Sequence, residues 1–201
     1  MANIISIFRM ILAIITISLL FLPNAGTKVY LICFALTIIV IWMDGLDGYI
    51  ARKLNETSKF GAVLDIIGDR VVENIYWISF LALGWVPLWI PIIAVTRGLI
   101  TDGLRSVAME QGYTPFGKTT MMESQLGKFI VTSNFSRGTY AAMKAVAFCL
   151  LIVAHVPQSY PYQNIVTNLA YISAYIAVFL CVARGLPVLI ESRRFFPSKN
   201  A

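Results

Sequence analysis

Six stretches of this chain are apolar for the length that a bilayer demands of a helix, and this limits its fold more than any other feature. A helix needs about 20 apolar residues to cross a hydrocarbon core about 30 Å thick. Residues 4–22, 28–51, 60–83, 86–107, 138–156 and 164–190 each answer to that measure. Only 13% of the 201 residues are charged, about half the share usual in a soluble domain, and little chain is left for a separate soluble part. The pattern predicts an all-α integral membrane protein with about six transmembrane helices, organised as one transmembrane domain over residues 1–201.

The first segment has the outline of a secretory signal, with Arg9 ahead of the apolar residues 10–22. Its exit, LPNAGTK, lacks a clean small-x-small cleavage site, and the further spans favour its retention as a first helix. Cys33, Cys149 and Cys181 each stand alone in an apolar run. Their spacing fits neither a zinc site nor a disulfide framework, so they read as small apolar filler between helices.

Charge assigns the loops to sides. Arg52, Lys53 and Lys59 lie between the second and third segments, and Arg105, Lys118, Lys128 and Arg137 between the fourth and fifth. Arg184, Arg193, Arg194 and Lys199 come at the end of the last segment or beyond it. The opposite connections, GWVP and HVPQSYPYQN, have no Lys or Arg, and PNAGTK has only Lys28. The positive-inside rule then puts both termini and the basic loops on the cytoplasmic side of a cytoplasmic membrane. The net charge of +6 therefore reflects topology and suits anionic headgroups or phosphate substrates rather than nucleic acid. WVPLWIP at 85–91 and YPY at 160–162 read as interfacial anchors on the far side. The polar stretch 105–137 reads as a cytoplasmic loop containing some helix.

Against this apolar background, residues 44–69, DGLDGYIARKLNETSKFGAVLDIIGD, concentrate four carboxylates at the end of a hydrophobic run. Asp44 and Asp47 are three apart, Asp65 and Asp69 four apart, so on helices each pair shares a face. Gly48 and Ala51 continue the Asp44 stripe, and Gly61 precedes Asp65 by one turn. The short polar link KLNETSK makes the two helices antiparallel neighbours, which gathers the four carboxylates at their cytoplasmic ends. Gathered carboxylates repel unless cations bridge them. Oxygen ligands without His or Cys point to a hard cation, Mg²⁺, Mn²⁺ or Ca²⁺. Four carboxylates suffice for two such ions about 4 Å apart, an arrangement used for displacement at phosphorus. Arg52, Lys53 and Arg70 add positive charge for a phosphate-bearing substrate.

Two other readings use the same residues. Asp44 or Asp47 could pair with Arg52, and Asp65 or Asp69 with Arg70 or Arg97, in a network with no catalytic duty. A carboxylate-based ion or proton transporter would also place acidic groups inside the membrane, but it does not require the glycines and the arginine at these positions.

The stretch resembles the signature of the CDP-alcohol phosphotransferase family, D-x-x-D-G-x-x-A-R, eight residues, then G-x-x-x-D-x-x-x-D. Asp44, Asp47, Gly48, Ala51, Arg52, Gly61, Asp65 and Asp69 occupy every fixed position. The opening NIISIFR is similar to the family's N-x-[LI]-[TS]-x-x-R through Asn3, Ser6 and Arg9. The resemblance implies a membrane enzyme of phospholipid biosynthesis. It would transfer a substituted phosphoryl group from a CDP-linked lipid to an alcohol and release CMP. It implies that Asp44, Asp47, Asp65 and Asp69 bind Mg²⁺ or Mn²⁺, two divalent ions in all, and that Asp69 is the base for the acceptor hydroxyl. Gly48, Ala51, Arg52 and Gly61 would receive the cytidine and its phosphates. Family members are commonly homodimers.

For the acceptor, Arg97 and Arg105 stand two turns apart in VTRGLITDGLRSVAMEQG, and Lys118 follows in PFGKTTM. Two arginines suit a phosphorylated alcohol, because guanidinium grips phosphate with two parallel bonds; the plainer reading is that they anchor the helix at the interface. The stretch resembles the phosphatidylglycerolphosphate synthase branch through Thr96, Arg97, Gly103, Leu104, Arg105, Gly117 and Lys118. Gly98 and Thr119 depart from that branch's pattern. The resemblance implies glycerol 3-phosphate, with inositol phosphate or another alcohol as alternative. Lys128, Arg137 and Lys144 read as boundary charges, Tyr140 and Lys144 share a helix face, and His155 reads as a loop residue on the far side.

Overall fold

The computed structural model describes residues 2–53, 59–113, 120–158 and 160–195, with side chains throughout except at 2, 46–53, 59, 60 and 62. The described chain is helical: α1 Ala2–Leu20, α2 Thr27–Lys53, α3 Lys59–Ala82, α4 Trp89–Glu110, α5 Gln125–Thr132, α6 Asn134–Ala154 and α7 Gln163–Glu191, closed by a short 3₁₀ turn Ser192–Phe195. Six of these match the six apolar segments in place and order, and α5 is the helix inside the polar stretch.

Stretches of α1, α2, α6 and α7 are long and apolar enough to cross a membrane, from Asn3–Leu20, Thr27–Gly45, Asn134–Ala154 and Gln163–Phe195. Helices α3 and α4 have 24 and 22 residues, which is also enough length at about 1.5 Å per residue. Their apolar character is diluted, because α3 carries Asp65, Asp69, Arg70 and Glu73 and α4 carries Arg97, Asp102 and Arg105. The polar residues that make these two helices interesting are the ones that weaken their hydropathy.

The chain divides into two units, residues 1–91 with 145–173, and residues 92–144 with 174–201. In the first, α1 packs against both α2 and α3. Its interior is aromatic. Tyr76 and Phe148 stack with ring centroids 4.8 Å apart, and Trp77 and Phe80 meet Phe148 edge-on. Polar groups within this apolar interior are satisfied locally. Thr37 donates to the Cys33 carbonyl at 2.7 Å and shares a 2.9 Å hydrogen bond with the Tyr76 hydroxyl, and Cys33 donates to the Thr16 carbonyl. An unpaired hydroxyl or carbonyl would be costly there, because no water is at hand to replace the lost bond. Cys33 thus packs as expected and also supplies a weak donor.

Helix α3 stops where Gly84 takes a positive φ of 74°. The Trp85 amide then reaches back to the Phe80 carbonyl at 2.8 Å, a Schellman ending that only a residue without Cβ adopts easily. Trp85, so placed, stacks on His155 at 4.4 Å.

In the second unit Ala108, Met121, Met122, Val131, Val188 and Phe195 form a buried cluster. The N-terminus of α5 is tied to the end of α7. Ser124 caps the helix by accepting from the Gly127 amide, and Glu191 accepts from the Ser124 hydroxyl and the Glu123 amide, each at 2.5 Å. Arg194 bridges back to Glu123 and to the Met121 carbonyl. Ser133 separates α5 from α6: its extended backbone ends α5, and its hydroxyl accepts from the Ser136 amide at the start of α6.

His155 follows α6 directly, and its Nδ1 lies 2.8 Å from the Leu151 carbonyl. Burial pushes its pKa below the ordinary value, the bond to Leu151 only partly opposing. An unfolded His155 therefore takes up a proton at a higher pH than the folded one, and stability declines as pH falls through about 6.5. The thermal midpoint in detergent should drop between pH 7.5 and 5.5, and the drop should be smaller in His155→Phe, which keeps the stack on Trp85. A variant with the same pH slope as the wild type would show that the loss comes from other groups.

Candidate active site

The carboxylates at the end of α2 and in α3 converge. One oxygen each from Asp44, Asp65 and Asp69 lie within 4.8 Å of one another. Helical spacing accounts for this locally, since Asp65 and Asp69 are one turn apart on α3 and Asp44 ends the apolar run of α2. The Asp44 and Asp69 side chains are 44% and 49% exposed, so the cluster opens to its surroundings on one side. Asp47, Gly48, Ala51 and Arg52 continue α2 in helical register, up to Lys53; their side chains lie outside the described residues. Gly61 lies one turn before Asp65 on α3.

Arg9 closes the other side. It is the only charged residue of α1 and is 2% exposed. Its Nη1 pairs with Asp44 Oδ1, and its Nη2 donates to Asp69 Oδ1 at 3.0 Å. The contact needs a bare backbone on α3, because a Cβ on Gly68 would stand 2.9 Å from Nη2. The ion pairs weighed from sequence used Arg52, Arg70 and Arg97. The structure pairs Arg70 with Glu73 at 3.5 Å and adds Arg9 to the cations at the cluster. Sequence reasoning took Arg9 only as the basic end of a signal-like segment and as part of an opening motif. The available signal was its standing as a lone charge in an otherwise uncharged span, which usually marks a partner within the membrane. Glu73 was also passed over: 3% exposed, it continues the stripe of Asp65 and Asp69 by one further turn.

In the second unit, cations surround one aromatic ring. Around Tyr140 of α6 stand Lys144 Nζ at 4.7 Å, Arg97 of α4 with Cζ at 5.5 Å and Arg184 of α7 with Cζ at 5.9 Å from the ring centroid. Arg97 lies along bare backbone, where a Cβ on Gly185 would be 2.8 Å from its Cγ, and its buried Nε has no hydrogen-bond partner among the described residues. Arg105 pairs with Asp102 at 3.5 Å. Arg184, 7% exposed, donates to the Ser136 hydroxyl at 2.9 Å and to the carbonyls of Ile130 and Val131. Tyr140 and Lys144 do share a face, as their spacing predicted, whereas Arg184 had been read only as a charge at the end of the last span. Lys118 lies outside the described residues.

Taken separately, the oxygen-only carboxylate cluster of the first unit fits a divalent ion, and the guanidinium and ammonium cations of the second fit an anionic group. The carboxylates could hold the metal, and cations near an aromatic face suit an anionic group. The chain is 29% identical over 150 residues to a CDP-diacylglycerol–glycerol-3-phosphate 3-phosphatidyltransferase of Bacillus subtilis, covering 75% of this chain and 67% of that protein. It is 28% identical over 152 residues to the protein of that name from Wigglesworthia glossinidia brevipalpis, covering 74% and 79%. A shorter match to the Mycoplasma pneumoniae protein of that name is 40% identical over 76 residues, 38% of this chain and 34% of that one. The CDP-alcohol phosphatidyltransferase family model matches residues 1–183. By that match over most of its length, the chain belongs to the CDP-alcohol phosphatidyltransferase family of membrane enzymes.

Proposed function

We propose that this enzyme transfers the phosphatidyl group of CDP-diacylglycerol to glycerol 3-phosphate and releases CMP. The observation that carries the reading is the convergence of Asp44, Asp65 and Asp69 within a complete family signature. The names of the relatives support the acceptor. Mg²⁺ or Mn²⁺, two ions in all, would be held by Asp44, Asp47, Asp65 and Asp69. The donor set fits, being oxygen-only and partly exposed, as ions that keep waters and substrate phosphates in their shell require. When bound, they would neutralise the pyrophosphate and the departing CMP.

The chain's own residues do the rest. Gly48, Ala51 and Gly61 leave room for the nucleotide, and Arg52 supplies charge to its phosphates. Arg97, Arg105 and Lys118 hold the acceptor's phosphate, and the cations about Tyr140 extend this set to Arg184 and Lys144. Asp69 accepts the proton of the acceptor hydroxyl. The acceptor oxygen then bonds to the lipid-side phosphorus, the bond from that phosphorus to the bridging oxygen breaks, and CMP leaves with the electron pair. Positioning and fixed charge lower the barrier to such a displacement. The basic loops support a cytoplasmic site with both termini on that side.

CMP release from purified protein in detergent, with CDP-diacylglycerol, Mg²⁺ or Mn²⁺ and one alcohol at a time, tests the reading. Release should require the metal and glycerol 3-phosphate, and Asp69→Asn should lower kcat about 10²–10⁴-fold, the usual worth of a positioned base. Release with inositol phosphate instead would correct the acceptor. No release with any alcohol and no binding of the CDP-lipid would favour a carboxylate-based transporter. Arg97→Gln should lower kcat/KM for glycerol 3-phosphate about 10–100-fold, the worth of one or two charge-assisted hydrogen bonds. It should leave the KM for CDP-diacylglycerol nearly unchanged; an equal change in both would remove Arg97 from acceptor recognition.

A further inference from the structure

We infer that Arg9 is a positioning residue of the carboxylate site, whose guanidinium fork holds Asp44 and Asp69 in the orientation that divalent ions need. The inference rests on the metal-dependent reading above and concerns a residue of the first helix that the reaction itself does not touch.

The burial pattern is the first argument. Asp44 and Asp69 are about half exposed, while Arg9 is 2% exposed. Half-exposed carboxylates are less in need of a buried partner than fully buried ones. A guanidinium taken out of water bears a desolvation cost that its ion pairs only partly offset, so such a residue is weak as a pure stability device. Its placement calls for a use beyond neutralising charge.

The way the fork is divided is the second. Nη1 serves Asp44 on α2 and Nη2 serves Asp69 on α3, each through one oxygen, Oδ1. Among the described residues, Arg9 takes only one oxygen of each carboxylate, so the other can meet a further ligand. A planar group with two nitrogens at fixed spacing sets two side chains from different helices against each other, which a flexible ammonium cannot do. Carboxylates that ligate metals are characteristically oriented by such outer hydrogen bonds.

The third argument lies on α3. Gly68, next to Asp69, leaves the space into which Nη2 fits, 2.9 Å from where a Cβ would be, and Met10 Sδ is 3.8 Å from the same point. The guanidinium is therefore boxed in, with its Nε unpartnered among the described residues and its hold on the cluster made through the two outer nitrogens.

Mn²⁺ binding to the full chain in detergent, stripped of metal and followed by the electron paramagnetic resonance of free Mn²⁺, separates the possibilities. Arg9→Lys keeps the charge and loses the fork, Arg9→Gln loses both, and Gly68→Ala keeps Arg9 but crowds it. Circular dichroism and gel filtration check the fold of each. Arg9→Lys and Gly68→Ala should bind Mn²⁺ about 10–100-fold more weakly than the wild type, as loss of an outer-shell partner does elsewhere. Wild-type affinity in Arg9→Lys would overturn the inference and leave Arg9 a structural ion pair. Tighter binding by Arg9→Gln would overturn it too, by making Arg9 a competitor of the metal. If both Arg9 variants fail to fold, Gly68→Ala decides alone, and unchanged affinity there counts against the fork. A wild type that binds no Mn²⁺ would fail the metal reading itself, a result distinct from any difference among variants.

Discussion

The bridge from Arg9 to Asp44 and Asp69 joins three helices at one point, and the first unit is organised about it. A carboxylate on a hydrophobic helix is stable only if water, a metal or a cation attends it. Here α1 brings the cation, α2 and α3 bring the carboxylates, and α1 packs against both partners. Away from this point the same helices meet through apolar and aromatic contacts such as Tyr76 on Phe148. The polar end needs specific partners, and the apolar end needs only volume.

That division explains what could be read in advance. Apolar length fixed six helices to within a few residues, because the bilayer criterion depends on composition alone. The aspartate spacing foretold a shared site, because α-helical register is local. The part of Arg9 was not legible. It was not among the candidate partners considered, since it lies 35 positions before Asp44 and 60 before Asp69. Only the packing of α1 brings it there. Glu73 escaped notice for a related reason: it belongs to the stripe by register, but no motif draws attention to it.

The second unit was harder. Arg97, Lys144 and Arg184 come from three helices, and what gathers them is Tyr140, a residue whose ring can face several cations at once. Linear spacing announces only Lys144, one turn from Tyr140. The tie between Glu191 and the start of α5 is likewise a contact across 67 positions, in which the carboxylate takes the hydroxyl of the cap Ser124 and the amide of Glu123 just before it. The polar stretch before α6 reads as a loop containing some helix, and α5 is that helix, eight residues or just over two turns long.

Arg184 has a consequence that concerns the break between α5 and α6. Ser133 interrupts the helical ladder beside Ile130 and Val131; Arg184 donates to the carbonyls of both and to the Ser136 hydroxyl, and that hydroxyl donates in turn to the Ile130 carbonyl at 2.6 Å. A discontinuous helix in an apolar setting is tolerated where other side chains restore the broken peptide bonding. Three acceptors spread around a bend call for a rigid, many-toothed donor, and lysine offers only a single nitrogen. The residue allowed at position 184 is thus dictated by the peptide groups of a different helix. The bend, in turn, draws part of its peptide bonding from a guanidinium of the last helix.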